Sequence, residues 1–118
     1  MATAPAVTRQ HYLGIDVGTS GCRSCLIDDE AQLLAGVHTP RPAPVRNGLA
    51  LQHAAGNWWT ALAEHLDHQG RQHDLSAVTA MTLDATSATL LCCDRQGTPH
   101  GPAMMYNDAR ATTQTQRI

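Results

Sequence analysis

Tyr12-Leu13-Gly14-Ile15-Asp16-Val17-Gly18-Thr19-Ser20-Gly21-Cys22-Arg23 decides the reading of this chain. An apolar strand runs into an acid, then into a turn of small and hydroxyl residues, then into a second strand. Asp16 therefore stands at the end of a buried strand, beside backbone N–H groups and hydroxyls able to face an anion. A carboxylate aimed at phosphate is repelled unless a cation lies between them. The stretch predicts a site for a metal-bound phosphate, Mg²⁺ with a nucleotide.

Working outward, Tyr12–Val17, Cys22–Asp28 and Gln32–His38 read as three strands. Their short joins, Gly18–Gly21 and Asp29–Ala31, favour an antiparallel meander. Residues 39–48 hold three prolines and a glycine and read as an exposed connection. Leu51, Ala55, Trp58, Trp59, Leu62 and Leu66 recur at helical spacing, predicting a helix over Ala54–Gln69 capped by Gly70. Its start carries no Ser, Thr or Asp cap. At this spacing the two tryptophans read as helix-to-sheet packing and His65 and His68 as solvated surface residues. Val78–Leu83 is a fourth strand, reached by a helical crossover, and Thr89–Asp94 a fifth. Between them lies the bend Asp84–Ala88. Arg95–Thr98 reads as a turn, Pro102–Tyr106 as a short extended piece, and Ala109–Ile118 as the first turns of a helix. Met104 and Met105 are expected at mixed burial.

At 118 residues the chain holds at most one ordinary domain. A net charge of −2 offers no basic stripe for nucleic acid, and no apolar run reaches the length of a membrane span. Residues 1–10 lack a signal-peptide pattern and read as a disordered lead-in, so a cytoplasmic location is expected. With no Phe, the core must be aliphatic. Cys22 and Cys25, and likewise Cys92 and Cys93, sit in strand-like runs where each pair points to opposite faces. They read as small buried thiols rather than zinc ligands. Three meandering strands, a helix and further strands make a mixed α/β sheet with the opening of a ribonuclease H-like, actin-like ATPase domain. No G-x-G-x-x-G or P-loop motif is present.

Four motifs in order resemble the FGGY carbohydrate kinases. Leu13–Arg23 looks like the family's first phosphate motif, and Val78–Thr89 like its strand and bend at the sugar pocket. Asp94–Arg110 resembles its D-x-x-G-x-P block ending in Asn-Asp-x-Arg, and Trp58-Trp59 its helix-start tryptophans. The resemblance implies ATP-dependent phosphorylation of a sugar hydroxyl. Asp16 would hold Mg²⁺, and Gly18, Thr19, Ser20 and Arg23 would lie at the ATP phosphates. Asp84, Ser87, Ala88, Asp108 and Arg110 would border the sugar. Tyr106 replaces the family's usual Trp, and His53-Ala54 its Asp-Pro. Ser87-Ala88 replaces the Arg-Glu pair of glycerol kinases, which points away from glycerol. The bend and the Met-Tyr-Asn-Asp run look closer to pentulose kinases, so D-ribulose or D-xylulose is the expected substrate. The resemblance makes residues 11–118 the N-terminal part of a longer kinase, inactive alone, with the general base in a later segment. The full-length form could pair as a homodimer. The alternative is a non-catalytic actin-like nucleotide switch or a sugar-sensing regulator.

Overall fold

The computed structural model describes residues 9–118. All but the last two residues of the expected lead-in therefore lie outside the described residues; Arg9 and Gln10 are exposed. Strand β1 spans His11–Val17, β2 Gly21–Asp28 and β3 Leu33–Pro40. Helix α1 spans Asn57–Gln72, and strand β6, Val78–Ala85, follows it. These strands make one sheet in the order β3-β2-β1-β6. β1–β2 and β2–β3 are antiparallel, whereas β6 runs parallel to β1 because the helical crossover returns the chain to the same end.

Alternation sets which face is covered. Leu13, Ile15 and Val17 of β1, Cys22 and Leu26 of β2 and Ala35 of β3 are buried with Ala61 of α1, and Trp58, Leu62 and Leu66 pack against this cluster. Each large aliphatic side chain so buried contributes about 1.5–3 kcal/mol. Register partners in the parallel pair share a face, so Asp16 and Asp84 lie on the face away from this cluster.

The inner stripe of α1 is polar. His65 and Gln69 are fully buried, His65 against the expectation of a solvated residue. His65 lies 2.8 Å from both the Ser24 hydroxyl and the Thr39 hydroxyl, and Ser24 donates to Gln69 Oε1 at 2.8 Å. Since the Ser24 proton goes to Gln69, His65 must donate from Nε2 and accept the Thr39 hydroxyl proton at Nδ1. His68, by contrast, is exposed as expected and pairs with Gln72.

Several elements differ from expectation. β3 runs on to Pro40, and Val45–Asn47 forms β4, which pairs with β5 at Ala50–His53 across Gly48-Leu49. Gly48, at φ +58°, supplies the left-handed residue of that turn. α1 passes through Gly70 to Gln72, because Gly70 keeps a negative φ and His73, in extended conformation, ends the helix by donating to Gln69 O. Thr89–Asp94 does not form a strand. Its bridges, Leu90–Met104 and Cys93–Pro99, stay isolated, since Pro99 and Pro102 bring no N–H to a continuous ladder. Strand β7 is Ala103–Met104, and α2 only Thr112–Thr115. Cys22 is buried while Cys25 is exposed, as opposite faces require. Cys92 and Cys93 are both exposed, outside any strand, so with Cys25 three of the four thiols correct the expectation of burial. Met104 and Met105 divide as expected, the first partly exposed and the second buried.

Candidate functional site

The carboxyl ends of β1 and β6 meet side by side. Asp16 pairs with Asp84 and Val17 with Ala85, and the Thr86 N–H donates to Val17 O at 3.3 Å. Neighbouring strands lie about 4.8 Å apart, so two carboxylates leave one face as close neighbours. Arg23, the antiparallel partner of Asp16, offsets part of this charge with Nη1 3.7 Å from Asp16 Oδ2. Asp84 Oδ1 accepts from the N–H of Ala85 at 2.8 Å.

The turn after β1 is closed by Gly18 N–H donating to Gly21 O at 2.9 Å. Gly21 is required by a close approach: an added Cβ would stand 2.5 Å from Thr39 O and 2.9 Å from His38 Nε2. Thr19 meets the opposite bend hydroxyl to hydroxyl, its Oγ1 3.3 Å from that of Thr86. Ser20 is exposed at the tip. The turn is held from behind by Arg41. Its Nε donates to Thr19 O at 3.2 Å and its N–H to Ser20 O at 3.0 Å. Arg41 lies over Trp58, 5.5 Å from the ring centroid, and His53 packs against the same tryptophan at 5.7 Å. Burial holds the Arg41 guanidinium below its ordinary pKa. Burial, aided by the Arg41 charge, also lowers that of His53.

Most of the remaining residues expected at the sugar gather around a second opening. Ala88, Tyr106, Asp108 and Arg110 line a cavity of about 380 Å³. Ala88 adopts φ +51°, a left-handed conformation uncommon outside glycine. Ser87 is exposed on the bend and does not line this cavity. Asp108 is engaged at both oxygens. Arg110 Nε donates to Oδ1 at 2.9 Å and Nη2 to Oδ2 at 2.8 Å, and the Leu51 N–H reaches Oδ2 at 2.8 Å. The Arg110 bonds, then the Leu51 N–H, hold the Asp108 carboxyl well below the usual carboxylate range. The pair thus pins the 103–110 segment to β5.

The structure thus brings Asp16, Gly18, Thr19, Arg23 and Asp84 to one strand end, and Ala88, Asp108 and Arg110 to one cavity. The bend Thr86–Ala88 joins the two. Arg41 and Thr86 enter the site without having been singled out by sequence. Arg41 sits between two prolines in a stretch read as a loop, and only the fold shows what it touches. Thr86 had one local signal, a hydroxyl in a bend after a strand. Among the described residues no group of three His, Cys, Asp or Glu side chains could hold a metal alone. Two hard carboxylate donors with phosphate oxygens and water would suit Mg²⁺, which is commonly held by one or two carboxylates plus substrate phosphate. No helix among the described residues is long and apolar enough to cross a membrane.

Solved sugar kinases share this arrangement of strands and helix. A xyloylose kinase from Brucella ovis superposes with a TM-score of 0.86 at 22% identity, over 92% of this chain and 23% of that one. The fold is therefore the actin-like ATPase fold of those enzymes. Residues 11–118 match the N-terminal domain of the FGGY family of carbohydrate kinases, and the chain belongs to that family. It is 31% identical over 105 residues to the xylulose kinase of Escherichia coli (strain K12), covering 84% of this chain and 20% of that protein. It is 27% identical over 118 residues to a human FGGY carbohydrate kinase domain-containing protein, covering 92% of this chain and 21% of the relative. The chain thus spans about a fifth of the length of these curated relatives.

Proposed function

We propose that the protein carrying this chain transfers a phosphoryl group from MgATP to a hydroxyl of a ketopentose, D-ribulose or D-xylulose. The observation that carries this reading is the meeting of the Gly18–Gly21 turn with the Thr86–Ala88 bend at the ends of two parallel strands. Ligands of open α/β sheets sit outside the carboxyl ends of strands. A donor phosphate on the turn and an acceptor hydroxyl at the bend would lie against one another there. Phosphoryl transfer asks the protein mainly for positioning and charge compensation. Asp16, with Asp84 beside it, would hold Mg²⁺, which neutralises charge on the phosphates when bound. Gly18, Thr19 and Ser20 present backbone and hydroxyl groups to the phosphates, and Arg23, paired with Asp16, adds a cation beside them. Ser87 and Ala88 shape the sugar's approach, and the Asp108–Arg110 pair fixes the wall of its cavity. The general base would come from a segment beyond residue 118, so this chain alone is expected to release no ADP.

The test is a coupled ADP-release assay of the kinase containing this segment against pentuloses, hexuloses, polyols and glycerol. Turnover confined to one or both pentuloses is the expected result. Turnover of glycerol alone, or of none of these, would overturn it, and sugar binding without ADP release would identify a sugar-sensing regulator instead.

A further inference from the structure

Arg41 is the least satisfied side chain near the site. Its Nη1 and Nη2 are sealed from solvent and have no hydrogen-bond acceptor among the described residues. Two desolvated guanidinium nitrogens without acceptors are costly, so other contacts must hold the side chain there. Two contacts account for its position. Its Nε and its own backbone N–H hold the carbonyls of Thr19 and Ser20, and its plane rests over Trp58.

We propose that Arg41 is a positioning residue for the phosphate turn, rotating its peptide groups so that an amide N–H faces the donor phosphate. The peptide between Thr19 and Ser20 is planar and trans, so its C=O and N–H point opposite ways. Drawing the Thr19 carbonyl back onto Arg41 turns the Ser20 N–H outward. Among the described residues neither the Thr19 nor the Ser20 N–H donates to a protein acceptor. They stand free at the tip while the carbonyls behind them are tied, the arrangement an anion-binding turn needs. Trp58 locks the guanidinium against α1, so the turn is referred to the helix as well as to the sheet. The unpaired cation adds a positive field behind the turn.

This inference rests on the phosphate reading of the turn, so its test has two arms on the kinase containing this chain. The first measures backbone amide order parameters at Thr19 and Ser20 in wild type, Arg41→Met and Arg41→Lys. Wild type should show rigid values of about 0.85, and both variants values below about 0.6 at these residues, with β1 unchanged. The second measures MgADP binding. It should weaken about tenfold in Arg41→Met, the worth of one charge-assisted hydrogen bond, and less in Arg41→Lys, which keeps the charge. Unchanged order parameters in a folded Arg41→Met would overturn the positioning role whatever the activity. Ordered wild-type values with no MgADP binding would overturn the phosphate reading and leave the tether standing.

Discussion

Asp16 and Asp84 are register partners across the parallel pair β1–β6, so two carboxylates from strands 68 residues apart leave the same face of the sheet. Like charges so placed repel, and Arg23 relieves only one of them. A divalent ion would relieve both. Asp16→Asn is therefore expected to cut kcat of the kinase by about 100-fold or more, the scale of losing one electrostatic contact to a transition state. Asp84→Asn should chiefly raise the Mg²⁺ concentration giving half-maximal rate. Steady-state rates across a Mg²⁺ series check both, and an Asp84→Asn series superposing on wild type would exclude Asp84 from the ion's surroundings.

Gly21 has no room for a side chain against Thr39 O and His38 Nε2. Gly21→Ala should cost about 1–3 kcal/mol as β3 is pushed away, read as a lower urea midpoint. Gly48→Ala meets no atom within 4 Å and is strained only by its φ of +58°, so its cost should be the smaller of the two.

Ala31, at φ +61° in the β2–β3 turn, occupies a left-handed conformation that favours glycine. Ala31→Gly is expected to stabilise the protein by up to about 1 kcal/mol, net of glycine's extra unfolded-state entropy. Thermal unfolding of the pair of proteins measures this directly.

The Ser24–His65–Thr39 network gives a pH dependence with a definite sign. Burial, then His68 and His38, lowers the pKa of His65, and burial with Arg41 lowers that of His53. The unfolded chain thus takes up protons first as pH falls below the ordinary value of 6.5. Stability is full above that pH and is lost as pH falls toward and through the folded-state values. Asp108 acts in the same direction, but only below 3.8, its ordinary carboxylate value. Urea midpoints from pH 7.5 to 5 should fall in wild type and fall less in a His53→Gln, His65→Gln double variant. His65→Ala, which strips partners from buried Ser24 and half-buried Thr39, should cost about 2 kcal/mol.

Thiol reactivity should divide the four cysteines. Cys25, Cys92 and Cys93 are exposed, whereas Cys22 is buried and burial raises its pKa, with Arg41 opposing in part. An aromatic disulfide reagent under native conditions should titrate three thiols quickly and the fourth only on unfolding. A fast fourth thiol would show that β2 opens readily from α1.

Much of the fold was legible because its signals are local. The alternation of Leu13, Ile15 and Val17, short joins and a helical crossover suffice for three antiparallel strands and a parallel fourth. The β4–β5 hairpin escaped because three prolines drew attention from Asn47-Gly48, an established turn signal. Leu90 and Leu91 suggested a strand, but its pairing is broken into isolated bridges by Pro99 and Pro102 in the facing segment. His65 read as a surface residue because the hydroxyls that hold it come from β2 and β3, 41 and 26 positions away. The same distance problem hid the tie between Asp108 and the Leu51 N–H, 57 positions apart. The place of Asp16 and its turn at a strand end was legible, while that of Arg41 was not, since it is set wholly by what folds against it.

Strand β6 is bonded to β1 along almost its whole length, Ala80 to Ala85 against Tyr12 to Val17. In hydrogen-exchange terms the amides shared by these two strands should be among the slowest in the chain to label. The Thr86–Ala88 bend thus hangs from the same pair of ribbons that carries the Gly18–Gly21 turn, and only a parting of those ribbons would let Asp84 draw away from Asp16.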